Sequence, residues 1–176
     1  YIAVEFAGIM HGLGADVIQL YRGPMFLRGF DEEVRQHLAL EMVKKGIDLR
    51  FDEDILSIER HGSGLHAQLK YGEKIKTQMV MYCTGRKPLS HGMGLEEVGV
   101  KLSQSGAIVV DGDFKTSVDS IYALGDVIDR VALTPVALAE GTALSKLLFD
   151  NEPVSMDYDY IPTAVFSNPN IGTVGY

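Results

Sequence analysis

The stretch from Tyr1 to Asp31 constrains this chain more than any other, because it runs from helix to strand with almost no linker. Ile2, Phe6, Ile9, Met10 and Leu13 recur at three- and four-residue spacing, which predicts a helix with a buried apolar stripe. The pattern stops at Gly12-Leu13-Gly14, a helix-ending glycine signal, and passes into the β-like run Val17-Ile18-Gln19-Leu20-Tyr21. Arg22 and Arg28 stand at and just beyond the end of that strand. The whole reads as most of a βαβ unit that lacks its opening strand. The expected fold class is therefore α/β: a Rossmann-like dinucleotide-binding fold with a parallel sheet.

The end of such a strand is where this kind of fold distinguishes its cofactors. An acidic residue there accepts hydrogen bonds from the free ribose 2′-OH of NAD, whereas arginine accommodates the 2′-phosphate of NADP. Nothing acidic lies between Val17 and Phe30, and Asp16 sits at the opposite end of the strand, about 17–20 Å away if it is extended. Arg22 and Arg28 are thus the candidate ligands of NADPH. A charged hydrogen bond to phosphate is worth roughly 1.5–3 kcal/mol, with the lower figure apt for a wet loop. Two of them give roughly a hundredfold preference.

Composition narrows the field. The 176 residues carry a net charge of −8, which argues against nucleic acid and anionic membrane as partners. No apolar run is long enough to span a bilayer, and no signal peptide is visible. The single cysteine, Cys83, excludes an internal disulfide framework and fits a reducing compartment.

On the first helix Tyr1, Glu5, Gly8 and Gly12 form a line of their own at four-residue intervals. Two glycines within a helix cost about 1 kcal/mol each, so a close neighbour is expected on that line and Glu5 should point toward it. The next helix is expected from Glu32 to Lys45, with Asp31 as N-cap, Glu32 and Glu33 in the first turn, and Lys44, Lys45 and Gly46 at its end. Its residues Val34, Leu38 and Met42, with Leu40 and Val43, should face a sheet. Its charges, Arg35 among them, should form an ordinary wet face. Ile47 to Phe51 is the next expected strand. Ile55–Ile58, Leu65–Leu69 and Lys74–Thr77 follow, separated by turn signals, and predict a small antiparallel meander. His61 and His66 fall within it without a partner at metal-ligand spacing, and His11, His37 and His91 fare no better, so no metal site is expected.

Met79 to Arg86 reads as a buried parallel-type strand ending in Thr84-Gly85-Arg86, with Cys83 as core packing. A loop-rich stretch with a short strand at Ala107–Asp111 precedes Thr116 to Asp126, an apolar strand ending in Gly125-Asp126. That ending delivers a carboxylate to the carboxyl edge of a sheet, where ligands of such folds bind. Leu133-Thr134-Pro135-Val136-Ala137-Leu138-Ala139-Glu140-Gly141 then opens a helix, with Thr134 as N-cap and Pro135 at its first position, running to about Phe149.

These segments together resemble the glutathione-reductase branch of the FAD-dependent pyridine nucleotide-disulfide oxidoreductases. The resemblance rests on Tyr1-Ile2-Ala3-Val4-Glu5-Phe6-Ala7-Gly8, Tyr21-Arg22, Leu27-Arg28-Gly29-Phe30-Asp31, Thr84-Gly85-Arg86, Gly125-Asp126 and the Leu133–Gly141 segment. It implies that Tyr1 follows directly on a glycine-rich phosphate turn and that the chain is an internal fragment, incomplete at both ends. It divides the chain into an NADPH-binding domain at 1–112, a returning FAD-domain segment at 113–152, and the start of a dimerisation domain at 153–176. It implies NADPH contacts at Ile2, Glu5, Arg22, Arg28, Gly85 and Ala132. Tyr1 would gate the nicotinamide pocket and Glu5 would pair with a lysine beside the flavin. FAD contacts fall at Asp126, for the ribitol, and at Thr134, where the helix N-terminus faces the flavin.

The implied activity carries electrons from NADPH through FAD and a redox-active cysteine pair to oxidised glutathione, in a cytoplasmic homodimer. The cysteine pair would lie upstream and a catalytic histidine and glutamate downstream, so the fragment itself is expected to be inactive. Gly23 stands where several members carry a third basic residue, and Thr142 where some place a substrate-contacting arginine. Trypanothione or mercuric reductase-like enzymes, and a non-catalytic dinucleotide-binding module, therefore stay open.

Overall fold

The structure, a computed structural model, describes residues 1–175. Tyr176, the last residue of the expected dimerisation segment, lies outside the described residues. The chain forms two compact units: Tyr1–Thr84 with Asp159–Tyr176, and Gly85–Tyr158.

The first unit is built on a strand–helix–strand crossover. Strands β1 (Ile18–Tyr21) and β2 (Asp48–Phe51) pair in parallel, Ile18 opposite Asp48 and Tyr21 opposite Phe51. Helix α1 (Ile2–Gly12) leads into β1, and α2 (Glu32–Lys44) connects the two strands. Both helices end as their glycines dictate. At the close of α1, Gly14 N–H donates to His11 O and Ala15 N–H to Met10 O, at 2.9 and 3.1 Å. At the close of α2, Gly46 takes φ +103°, open to glycine at no steric cost, and donates to Val43 O. That turn folds buried Ile47 back toward Met42, whose carbonyl accepts its N–H at 3.2 Å.

At the other end of α2, the Asp31 carboxylate accepts from Val34 N–H at 3.1 Å. Asp31→Ala is expected to lower stability by about 1 kcal/mol. The check is a Tm about 2–4 °C lower by calorimetry.

The core of this unit gathers Val4 and Ala7 from α1, Leu38, Ala39 and Met42 from α2, and Phe26, Leu27 and Ile47 from the connections. Burying Leu38 and Met42 contributes about 1.5–3 kcal/mol each. This differs from the expected faces. In α1 the apolar line Ile2, Phe6, Ile9, Met10, Leu13 is not the buried one, and Leu13 is 80% exposed. Val4 and Ala7, one turn apart and smaller, pack instead. Nor do Gly8 and Gly12 meet a close neighbour, since a Cβ added at either would lie in open space. In α2, Val34, Leu40 and Val43 are exposed and Ala39 joins Leu38 and Met42 inside.

Strands β3 (Ile55–His61), β4 (Gly64–Leu69) and β5 (Lys74–Thr77) form the antiparallel meander, with Ala67 and Leu69 on its buried side. A hairpin of β6 (Thr163–Val165) and β7 (Ile171–Thr173) adds Val165 and Ile171 to the core of the unit.

Met79 to Arg86 is the largest departure from expectation. It takes no regular secondary structure, bends at Thr84 and pairs with no strand among the described residues, and Met79, Met81 and Tyr82 are exposed. An apolar run becomes a buried strand only beside sheet neighbours that satisfy its backbone, and β1 and β2 make a sheet of two. Cys83 is accordingly a half-buried free thiol and not a packed core residue.

The second unit packs Val100, Ile108, Phe114, Ala123 and Ile128 against residues of α3 (Thr134–Asp150), Ala143 and Leu144. Its expected strands shrink to isolated bridges, Leu102 with Ile108 and Lys115 with Tyr122. Too few residues extend in register to build a ladder. The apolar run into Gly125-Asp126 ends in a 3₁₀ turn, Gly125–Ile128.

Candidate functional site

The candidate residues fall on both units: Tyr1, Ile2, Glu5, Arg22 and Arg28 on the first, Gly85, Asp126, Ala132 and Thr134 on the second.

On the first unit β1 ends at Tyr21, which puts Arg22 at the carboxyl edge of the parallel pair. Arg22 and Arg28 are exposed, and neither guanidinium has a hydrogen-bond or ion-pair partner among the described residues. Two unpaired guanidinium groups on the rim of a strand–helix–strand unit suit a dianionic phosphate, which two forked donors can grip in several directions.

The loop that carries Arg28 is fixed by two devices. Phe26 and Leu27 are buried, Phe26 against the Phe51 ring at 5.7 Å between centroids. Arg35, expected on a wet face, instead reaches back from α2: its Nε donates to Phe26 O at 2.7 Å and its Nη2 to Met25 O at 2.8 Å. The wet-face expectation fails because the loop returns over the first turn of α2, a contact that helical spacing does not encode. Arg35→Met leaves both carbonyls without donors, at a cost of about 1–3 kcal/mol. It is expected to weaken NADPH binding several-fold by freeing the Arg28 loop, as measured by titration beside a melting curve.

Glu5 is half-buried, and its Oε1 accepts from Phe166 N–H at 2.9 Å, just after β6. The neighbour expected for Glu5 is therefore a backbone amide in this chain. Tyr1 occupies the N-cap of α1 without a side-chain cap and is 49% exposed, and Ile2 is half-buried. Gly23 is half-buried, and an added Cβ would meet the Tyr21 ring at 3.1 Å, so the third basic residue of some relatives would need that ring to shift.

On the second unit Asp126 and Ala132 line one groove of about 210 Å³ with Arg86, Lys87, Val127 and Asp129. The Asp126 carboxylate is exposed and accepts from Arg86 Nη2 at 3.4 Å, a long, wet pair of little energetic weight. Gly85, at φ +140°, is exposed with open space where a Cβ would stand. Helix α3 begins at Thr134 with Pro135 in its first turn, but its N-cap is Leu133 and no side chain caps it. Thr134 is one residue too far along to cap, so the first-turn N–H groups lack a side-chain partner and offer a partial positive charge. Thr142 is exposed and its hydroxyl donates to Leu138 O of its own helix at 2.9 Å.

Two further features carry none of the candidates. A groove of about 530 Å³ lies beside Glu33, Val34, His37 and Leu38 and hairpin residues Pro169 to Gly172. The rings of His61 and His66 stack at 4.4 Å, and burial lowers the His66 pKa first, then the His61 charge. Among the described residues no group of three or more His, Cys, Asp or Glu side chains could hold a metal ion. No helix among them is long and apolar enough to cross a membrane.

Sequence reasoning missed one buried polar cluster. Glu140 on α3 is 1% exposed, and its carboxylate accepts from Gly125 N–H at 2.6 Å and from the Tyr158 hydroxyl at 2.7 Å. The available signal was a glutamate in the middle of an apolar helix face.

A strand–helix–strand unit with arginines at the strand edge, and a Gly-Asp turn beside a helix N-terminus, together describe a class of proteins that hold nucleotide cofactors. Residues 1–141 match the family described as pyridine nucleotide-disulphide oxidoreductase, and the chain belongs to that family. It is 48% identical over 175 residues to glutathione reductase of Burkholderia cepacia, covering 99% of this chain and 39% of that protein. It is also 48% identical to the chloroplastic/mitochondrial glutathione reductase of Pisum sativum, covering 99% of this chain and 32% of that protein. Trypanothione reductase of Trypanosoma congolense is 40% identical over 99% of this chain and 36% of its own. Among solved structures, the HOCl-induced flavoprotein disulfide reductase RclA from Escherichia coli superposes with a TM-score of 0.93 at 25% identity, over 100% of this chain and 40% of that one. The chain thus spans 32% to 40% of the length of these relatives, with a Rossmann-like α/β fold in common.

Proposed function

We propose that this chain is part of an NADPH-dependent FAD disulfide oxidoreductase that reduces oxidised glutathione. The observation that carries the reading is the two exposed guanidinium groups without a partner among the described residues, Arg22 directly after β1 and Arg28 in the loop that leads on to α2. In this reading they grip the 2′-phosphate of NADPH, with Arg35 holding the loop of Arg28. On the first unit Ile2, Tyr1 and Glu5 are read as contacts of NADPH, and on the second unit Gly85 and Ala132 are read so as well. Asp126 accepts hydrogen bonds from the ribityl hydroxyls of FAD, and the α3 N-terminus at Thr134 offers unbonded N–H groups to the flavin. The exposed Asp126 carboxylate in its groove, loosely paired with Arg86, fits that role, since hydroxyls can displace a long pair at little cost. When bound, the two cofactors supply hydride and electron transfer that no side chain of this chain provides.

The domains are then 1–112 for NADPH, 113–152 for FAD and 153–176 for the beginning of a dimer interface. This division follows the cofactor each segment serves; the compact units part at Thr84 and Gly85. The parent is read as a cytoplasmic homodimer; the free Cys83 thiol of this chain fits a reducing compartment.

The test is NADPH oxidation by the full-length protein carrying this segment, with oxidised glutathione, oxidised trypanothione and mercuric ion offered separately. Turnover with oxidised glutathione well above the other two supports the reading. Turnover with none of them overturns it.

A further inference from the structure

The buried carboxylate of Glu140 needs an explanation, because a buried charge is retained only where partners satisfy it. Its two partners have different characters. Tyr158 lies 18 residues further along, and its phenol in turn accepts from Arg130 Nη1 at 3.2 Å. Arg130 is itself held by donation to Asp111 O at 3.1 Å and lies over the Phe114 ring. The result is a relay in one direction: Arg130 to Tyr158 to Glu140. Burial, the largest influence on the Tyr158 hydroxyl, pushes its pKa up and keeps it a donor.

The second partner gives the relay a target. Gly125 N–H, the donor to Glu140 Oε2, belongs to the residue immediately before Asp126 and to the peptide that joins it to Leu124. Gly125 is buried at φ +72°, with Ala137 of α3 behind it, so the turn is pinned on one side by packing and on the other by this bond.

We propose that Glu140 and Tyr158 are positioning residues that hold the Gly125–Ile128 turn so that the Asp126 carboxylate meets the polyol of a bound flavin nucleotide. The proposal rests on the flavin reading of Asp126 given above. Neither side chain touches the cofactor; they act through one backbone amide.

The experiment measures FAD binding to the apoprotein of the full-length protein by quenching of flavin fluorescence, with the melting temperature of each apoprotein beside it. Asp126→Asn is expected to weaken FAD binding about tenfold, and Tyr158→Phe about three- to tenfold. Glu140→Leu should match or exceed Tyr158→Phe. Glu140→Gln, whose amide oxygen still accepts from Gly125, should restore most of the affinity. The double variant Asp126→Asn with Tyr158→Phe should bind no more weakly than Asp126→Asn, because both changes remove the same contact. Additive losses in that double variant, or unchanged FAD affinity in Tyr158→Phe while Asp126→Asn is weakened, would overturn the positioning role. Unchanged affinity in Asp126→Asn would instead remove the flavin reading itself.

Discussion

Replacing Arg22 and Arg28 together with alanine is expected to lower kcat/KM for NADPH by about a hundredfold and to leave the value for NADH nearly unchanged. The size follows from two charged hydrogen bonds to one phosphate at a wet site, each worth about a factor of ten. Each single variant should lose about tenfold, chiefly in KM, since the 2′-phosphate lies remote from the transferred hydride and binds ground state and transition state alike. The loss should shrink as salt is raised, because both groups are exposed. Stability should be untouched, as neither guanidinium has a partner among the described residues to lose. Steady-state kinetics with both nucleotides checks every part of this. Equal losses for NADH and NADPH would mean that the arginines serve the fold or a group common to both cofactors.

Gly125→Ala carries the second large effect. At φ +72° an L side chain costs about 1–2 kcal/mol, and the new Cβ would stand 3.2 Å from Ala137 Cβ, inside ordinary contact distance. The turn cannot relieve the clash by moving outward without lengthening its bond to Glu140. A loss of about 2–3 kcal/mol is expected, read as a Tm lower by about 4–12 °C, with weakened FAD retention. Gly8→Ala is the matched control in this chain. It lies mid-helix with open space around it, and the same added methyl should raise stability by up to about 1 kcal/mol.

Where local chemistry decides structure, the sequence was readable. Asp31, Gly46 and the glycines after α1 mark the helix ends because capping depends on residues a few positions apart. The meander followed from alternation and turn residues, and β1 and β2 from their apolar runs. The position of Arg22 directly after β1 followed from the end of that run. What escaped depends on distant partners. Met79 to Arg86 has the composition of a buried strand, but only neighbouring strands could make it one. The spacing of α1 points to its larger residues as the buried stripe, whereas the core takes Val4 and Ala7 together with Leu38 and Met42. Arg35 and Glu140 each look ordinary within their helices. Their roles are set by a loop nine residues back and a tyrosine 18 residues on.

In the proposed reading this chain holds NADPH and FAD for a shared reaction. Anaerobic titration of the purified full-length protein, followed in the visible absorbance of the flavin, probes both cofactors at once. The expected result is a yellow protein whose flavin absorbance is perturbed by about one equivalent of NADPH, the two electrons passing on to the cysteine pair, and whose flavin bands bleach only as a second equivalent is taken up, with NADH far less effective at equal concentration. A colourless protein that takes up no FAD, or a flavin that NADH reduces as readily as NADPH, would contradict it.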